Sequence, residues 1–87
     1  MKELKIKVKN DAGFHARPAS QLVNLAATYQ SSIHIFKSDK EVNLKSILGL
    51  LSLGIAKNEE VIIRIEGNDE SQALAAIEQL GKEAALW

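Results

Sequence analysis

The first nine residues alternate lysine with apolar side chains. Leu4, Ile6 and Val8 occupy every second position, and lysines stand between them. A period of two is typical of a β-strand with one buried face and one solvated face. Residues 10–13 bring together Asn, Asp and Gly, which predicts a turn at the end of this strand.

Two segments have the period of an amphipathic helix. The first helix is predicted to begin at Ala16, and its apolar stripe consists of Ala19, Leu22, Val23 and Ala26. The last helix carries a stripe of Ala73, Leu74, Ile77, Leu80 and Ala84, and Gly81 weakens it. Asp69 is followed three residues later by Gln72, which predicts a capping box at the start of this last helix.

The middle of the chain returns to the strand period. Apolar residues at every second position predict three more strands, around Ile33 and Ile35, around Val42 and Leu44, and over 61–65. Residues 37–40 predict the hairpin turn between the first two of these, with Ser38-Asp39 at its tip. Ser46 stands before a short apolar run that is limited by Gly49 and Gly54, which predicts an N-cap and a short helix.

The predicted order is therefore β-α-β-β-α-β-α. Three helices must bury their stripes on the one apolar face of the sheet, so we expect an α+β fold, an open-faced two-layer sandwich. The opposite face of the sheet is expected to carry Lys5, Lys7, His34, Phe36, Glu41, Ile62 and Arg64. Phe36 and Ile62 are unusual there, and we interpret them as scattered exposed apolar residues rather than as a contact surface.

Composition narrows the possible classes of function. The 87 residues suffice for one domain, 1–87, and eleven basic side chains balance eleven acidic ones. A net charge of zero argues against a nucleic-acid binder held mainly by phosphate charge. The chain has no cysteine, no metal-ligand spacing, no signal peptide and no apolar run long enough to span a bilayer. We expect a cytoplasmic protein without a metal or cofactor.

The most informative segment places His15 between a loop and the first helix. The first N–H groups of a helix have no intrahelical partner, and the helix dipole is positive there, so such an end attracts anions. We expect the N–H groups of Ala16 and Arg17 to face outward, because Pro18 in the first turn costs the helix little. The positive helix end favours the neutral, nucleophilic imidazole, and the Arg17 guanidinium suits phosphate oxygens.

Both polar candidates also have a purely structural interpretation. His15 can be a surface residue that caps the helix poorly, and from local spacing alone this interpretation is favoured. Ser46 as an N-cap is likewise explained without function, although a phosphate there would add negative charge at a helix start that tolerates it. Ile47, Leu48 and Leu51 cannot all point inward on so short a helix, so part of this set is expected to form an exposed apolar patch.

The chain resembles the phosphocarrier protein HPr of the phosphoenolpyruvate-dependent sugar phosphotransferase system. The resemblance extends over essentially the whole length of the chain. The resemblance rests on two motifs. Residues 13–19, Gly-Phe-His-Ala-Arg-Pro-Ala, match the active-site signature of the family. Residues 42–54, Val-Asn-Leu-Lys-Ser-Ile-Leu-Gly-Leu-Leu-Ser-Leu-Gly, look like the regulatory-serine region of Gram-positive-type members. Together, at this separation, they are highly specific.

The resemblance implies a fold and a role. The fold would be a four-stranded antiparallel sheet in the order 1-4-2-3 with three helices on one face. The protein would be a stoichiometric carrier rather than an enzyme: His15 would receive a phosphoryl group on Nδ1 from phosphorylated Enzyme I and give it to Enzyme IIA domains. Arg17 would steady the phosphohistidine, with backbone N–H groups of Ala16 and Arg17 beside it.

The resemblance also implies regulation. Ser46 would be the target of HPr kinase/phosphorylase, and the phosphorylated form would bind the catabolite control transcription factor, with no direct contact to nucleic acid and no insertion into membranes. The docking surface that the partners share would comprise Ala16, Ser20, Ile47, Leu48 and Leu51.

Some positions depart from the family pattern. Leu48 and Leu51 stand where methionine is usual, and Asn24 and Ala27 supply no charge where some members carry lysine. These changes predict a stiffer docking surface and weaker electrostatic steering. The presence of His15 argues against a regulatory paralogue that lacks the active-site histidine. Two rival interpretations remain open: a protein that acts through Ser46 alone, and a small α/β RNA-binding domain, for which Phe36 alone is poor support.

Overall fold

A computed structural model describes all 87 residues as a four-stranded sheet with three helices. The elements are β1 (Lys2–Lys7), α1 (Ala16–Ala27), β2 (Ser32–Lys37), β3 (Lys40–Asn43), α2 (Ile47–Ser52), β4 (Glu60–Glu66) and α3 (Glu70–Glu83). The strands lie in the order β1-β4-β2-β3, and every neighbouring pair is antiparallel. The predicted element order, sheet order and fold class are all confirmed.

The core lies between the sheet and the helices, as the alternation of the strands predicts. Ile33 and Ile35 of β2 are fully buried beside Ile63 and Ile65 of β4, and the apolar stripe of α1 covers them. Val8 lies one residue beyond the end of β1 but is also fully buried, because its N–H and carbonyl bond to the segment before β4. Burial of apolar surface on one face of the sheet therefore holds the two layers together.

The free face of the sheet is less open than the sequence suggests. Phe36 of β2 and Ile62 of β4 are direct cross-strand neighbours, and both are half-buried. The Arg64 guanidinium lies 4.7 Å from the centre of the Phe36 ring, and its Nε donates to Glu3 Oε2 at 2.7 Å. The interpretation of Phe36 and Ile62 as scattered exposed residues is wrong: they pack against each other, and an arginine covers one of them.

The hairpin between β2 and β3 turns at the predicted residues. Lys37, the last residue of β2, pairs with Lys40, the first residue of β3, so only Ser38 and Asp39 form the loop. Ser38 has a φ of 55°, and Asp39 does not have a positive φ. A positive φ at the first central residue alone is the pattern of a type II′ turn, whose twist matches the flanking strands.

The predicted capping box at Asp69 is wrong. The Asp69 side chain makes no hydrogen bond to its own helix. Its carboxylate instead accepts from the N–H groups of Gln30 and Ser31, at 2.8 and 3.0 Å, and from the Ser31 hydroxyl. Ser31 is almost fully buried, so its polar atoms need an internal partner. Asp69 therefore ties the start of α3 to the start of β2.

This arrangement predicts acid sensitivity. The hydrogen bonds from Ser31 and Gln30 hold the pKa of Asp69 below its usual value of 3.8. Because the pKa of the folded form is lowered, Asp69 stabilises the fold above pH 3.8 and loses this effect as the pH falls through the lowered value. We expect the stability advantage of the native protein over Asp69→Asn to shrink between about pH 5 and about pH 2 in denaturant titrations. Asp39→Asn, at the exposed hairpin tip, is the control, and an equal pH trend in both variants would contradict the prediction.

The C-terminal end is fixed rather than mobile. Leu86 is fully buried, Trp87 packs against the core, and the Leu86 carbonyl accepts from Lys9 N–H at 2.8 Å. Ala85, with a φ of 56°, ends α3 in a Schellman-type cap in which the Leu86 N–H reaches back to the Gly81 carbonyl at 2.8 Å. A side chain on residue 81 would occupy the space of the Trp87 ring. The glycine that weakens α3 therefore makes room for the indole.

Candidate functional site

The turn before α1 is shaped by hydrogen bonds to its own first residue. Asn10 Oδ1 accepts from Ala12 N–H at 2.8 Å, and the Asn10 carbonyl accepts from Gly13 N–H at 3.0 Å. Gly13 has a φ of 64°, and a Cβ there would overlap the Ile55 carbonyl oxygen. Only glycine allows both this conformation and this close approach of two backbone segments.

Phe14 anchors the turn to the body of the protein. Its side chain is buried, and its N–H donates to the Ile55 carbonyl at 3.1 Å. Its ring stacks on Trp87 with a centroid distance of 6.3 Å and an interplanar angle of 29°. The residue immediately before His15 is thus held on both its backbone and its side chain, which fixes the position of His15.

His15 is exposed at the start of α1. It is the N-cap residue by position, with φ −80° and ψ 178°, and its carbonyl accepts from Ala19 N–H at 3.1 Å. Its side chain makes no capping bond, so the ring does not contribute to the cap of α1. Nδ1 faces the Gly13 carbonyl oxygen at 3.4 Å, longer than a usual N–H···O bond. The ring is therefore held only weakly.

The groups around His15 form a site for an anion. The N–H groups of Ala16 and Arg17 have no protein acceptor, and no acidic residue lies in the first turn of α1. The Arg17 guanidinium is exposed and makes no ion pair or hydrogen bond within the protein. A ring nitrogen, two unpartnered amides and a free guanidinium on one helix end are suited to bind phosphate oxygens.

Ser46 is the N-cap of α2, as predicted. Its Oγ accepts from Gly49 N–H at 3.1 Å, and its own N–H donates to the Asn43 carbonyl at 3.0 Å. The residue is exposed, and α2 has no acidic residue in its first turn. The serine hydroxyl therefore has a structural role and remains accessible to solvent.

The apolar residues after Ser46 divide between the interior and the surface. Leu50 is fully buried, whereas Leu48 is 80% exposed, Leu51 is 39% exposed and Ile47 is half-buried. The prediction that this short helix cannot bury all its apolar residues is confirmed. Because α1 packs against α2, an apolar patch on α2 adjoins the helix that follows His15. Ala16 and Ser20 of α1 are exposed as well.

Two parts of the site were not predicted from the sequence. The dependence of the turn on Ile55 is visible only once the segment after α2 lies beneath Gly13. The stacking of Trp87 on Phe14 joins residues at opposite ends of the chain. The only sign of this anchoring in the sequence is Phe14, an aromatic residue in a turn that would otherwise be polar. A turn that is exposed to solvent does not require an apolar side chain, so Phe14 indicates that this turn packs against the core.

Three further observations concern His34, metal binding and membrane spanning. His34 is half-buried on the free face of the sheet, where its Nε2 lies 4.0 Å from Glu41 Oε2. No group of three or more histidine, aspartate or glutamate side chains is arranged to hold a metal ion. None of the three helices combines the length and the apolar character required to cross a membrane.

Comparisons with known proteins agree with this geometry. Residues 2–83 match the family model described as the PTS HPr component phosphorylation site. The histidine-containing phosphocarrier protein of a mycoplasma is 36% identical, with 98% of this chain and 97% of that chain covered and a TM-score of 0.96. HPr-C-His from Thermoanaerobacter tengcongensis is 42% identical, with coverage of 95% and 93% and a TM-score of 0.91. Crh, a catabolite repression protein of Bacillus subtilis that forms a swapped dimer, is 36% identical over 100% of both chains, with a TM-score of 0.75. The chain therefore belongs to the HPr family of phosphocarrier proteins of the phosphotransferase system.

Proposed function

We propose that this protein carries a phosphoryl group on His15 from phosphorylated Enzyme I to Enzyme IIA domains during sugar uptake. The observation that supports this most directly is the exposed His15 ring, which does not cap its helix and stands beside two unpartnered backbone N–H groups. The protein is then a stoichiometric carrier, and the partner proteins supply the rest of each active site.

The transfer is a displacement at phosphorus. The lone pair of a neutral imidazole nitrogen attacks, the N–P bond to His15 forms, and the bond from phosphorus to its donor in Enzyme I breaks. In the structure Nδ1 faces the Gly13 carbonyl at 3.4 Å, so reaction at Nδ1 requires the ring to turn away from that oxygen. The Ala16 and Arg17 amides and the Arg17 guanidinium then neutralise the charge of the bound phosphoryl group.

Labelling of the native protein tests this assignment. Incubation with phosphoenolpyruvate and Enzyme I is expected to add one phosphoryl group, detected as a single mass increment. Because a phosphohistidine hydrolyses in acid whereas a phosphoserine does not, the group should be lost at low pH. Labelling that survives acid, or no labelling by Enzyme I, would contradict the assignment. Transfer onward to an Enzyme IIA domain should restore the unlabelled mass.

Ser46 is proposed as a regulatory phosphorylation site. It is exposed at the start of α2, and the Gly49 N–H that now bonds to its hydroxyl can donate to a phosphate instead. The whole-length similarity to Crh, named as a catabolite repression protein, favours this second role. The kinase would be an HPr kinase/phosphorylase, and the phosphorylated form would bind a catabolite control transcription factor. Acid-stable labelling by ATP and this kinase, absent in Ser46→Ala, is the corresponding test.

The apolar patch of α2 is proposed to dock the partners, together with Ala16 and Ser20. Leu48 is the most exposed residue of the patch, so it contributes little to the fold. We expect Leu48→Ser to change the free energy of unfolding by less than about 0.5 kcal/mol. Binding to Enzyme I, measured by calorimetric titration, should weaken because the partner loses an apolar contact. Unchanged binding would contradict the docking role of Leu48.

A further inference from the structure

Lys37, the last residue of β2, makes three contacts with the segment that follows α2. Its Nζ donates to the carbonyls of Leu53 and Gly54 at 3.1 and 3.0 Å, and it lies 3.0 Å from Glu59 Oε2. Leu53 is the C-cap of α2, where carbonyl groups lack helical partners and attract cations. One ammonium group therefore binds both the end of α2 and a carboxylate farther along the chain.

The Glu59 carboxylate links Lys37 to the backbone of Ala56. While Oε2 pairs with Lys37, Oε1 accepts from Ala56 N–H at 2.7 Å, and the Ala56 carbonyl accepts from Glu59 N–H at 3.2 Å. Hydrogen bonds from Lys37 and from the Ala56 backbone hold the pKa of Glu59 below its usual value of 4.5. The Lys37 ammonium thus holds residues 53–59 at both ends, by hydrogen bonds to the carbonyls of Leu53 and Gly54 and by the ion pair with Glu59.

The turn before His15, residues 10–14, lies against this segment and is called the histidine turn below. Between Gly54 and Ala56, the Ile55 carbonyl receives the Phe14 N–H at 3.1 Å, and the space for a side chain on Gly13 is filled by the same oxygen. A displacement of Ile55 therefore displaces the residues directly before His15. No other hydrogen bond holds the Phe14 backbone N–H.

We propose that Lys37 and Glu59 are positioning residues for His15, which act through residues 53–56 and the Phe14 backbone. The inference rests on the proposed function, since it takes His15 as the phosphoryl acceptor. Neither side chain touches His15. Their side chains are 22% and 34% exposed, and pairs of this kind contribute little to global stability, so their loss should alter the turn more than the fold.

The first test measures the turn directly by amide hydrogen exchange. In Lys37→Met and in Glu59→Gln, the N–H groups of Ala56 and Phe14 are expected to exchange faster than in the native protein, and Lys37→Arg should restore protection. Lys40→Met is the matched control, because Lys40 is the cross-strand neighbour of Lys37 and its side chain makes no ion pair or hydrogen bond. If Phe14 keeps its native protection in both variants, the proposal is overturned.

The second test measures the rate of phosphoryl transfer from phosphorylated Enzyme I to His15 in a single turnover. Phosphorylated Enzyme I is present at a saturating concentration. A misplacement of a reacting group by about 1 Å can lower the rate of transfer about 100-fold. We expect a smaller displacement of His15 in Lys37→Met and Glu59→Gln, and therefore a rate about tenfold lower than that of the native protein. The dissociation constant should stay within about twofold, because the docking patch on α2 is intact. Glu3→Gln, which breaks the 2.7 Å pair with Arg64 on the free face of the sheet, should transfer at the native rate.

The outcomes separate this inference from the proposed function. If the native protein accepts no phosphoryl group, the proposed function fails, and amide exchange still decides whether Lys37 and Glu59 fix the turn. If the native protein is phosphorylated and Lys37→Met accepts the phosphoryl group at the native rate, only the positioning role fails. An equal loss of rate in Glu3→Gln would show a general loss of stability and would also overturn the positioning role.

Discussion

His15→Ala is expected to abolish phosphorylation by Enzyme I and phosphoenolpyruvate while leaving the fold intact. The ring is exposed and makes one weak contact, with the Gly13 carbonyl at 3.4 Å. Its removal therefore changes the free energy of unfolding by less than about 0.5 kcal/mol, as for other surface positions. The measurement is the fraction of protein that gains the mass of one phosphoryl group at long reaction times.

The other histidine of the chain provides the matched control. His34 is half-buried on the sheet face away from the helices, where its Nε2 lies 4.0 Å from a carboxylate oxygen of Glu41. His34→Ala should be labelled like the native protein, because His34 lies within β2 and not at a helix start with unpartnered backbone N–H groups. Labelling of His15→Ala, or its absence from His34→Ala, would overturn the assignment of the phosphorylated residue.

Gly81→Ala is expected to destabilise the protein, contrary to helix propensity. Alanine in place of glycine inside a helix normally stabilises by about 1 kcal/mol. Here the added Cβ would overlap the Trp87 ring, which must leave its site against Phe14 and the core. We expect a net loss of about 1–3 kcal/mol, the usual cost of overpacking, measured by denaturant titration.

A double-mutant cycle isolates the cause. In a Trp87→Ala background the obstacle is gone, so Gly81→Ala should stabilise the protein by up to about 1 kcal/mol. Trp87 is the only tryptophan of the chain, so its fluorescence reports directly whether the ring leaves its site. A stabilising effect of Gly81→Ala in the native background would show that Trp87 does not depend on the glycine.

Trp87 also shows why part of the site was not predictable. Periodicity arguments compare residues a few positions apart, and they assign a single residue at the end of a chain to no element. The contact of Trp87 with Phe14 joins residues 73 positions apart and depends on the path of α3 across the sheet. Chain ends are often mobile, but this contact holds Trp87 in place.

Asp69 illustrates the same limit at a helix start. The spacing of Asp69 and Gln72 satisfies the rule for a capping box. The rule considers only donors and acceptors that are close along the chain. The fold brings the N–H groups of Gln30 and Ser31, almost forty residues away, within hydrogen-bond distance of the Asp69 carboxylate. Because Ser31 is almost fully buried, its N–H and hydroxyl need a partner within the protein, and the Asp69 carboxylate is that partner.

The sequence by itself determined the element order, the buried face of each strand, the N-cap at Ser46 and the placement of His15 at the start of a helix. These follow from periods of two and 3.6 and from the backbone N–H groups that every helix start leaves unpaired. Only the tertiary structure decided how the histidine turn is held, because Ile55 and Trp87 contact it from segments distant along the chain. Contacts of that kind depend on how the layers pack, and no local pattern encodes them.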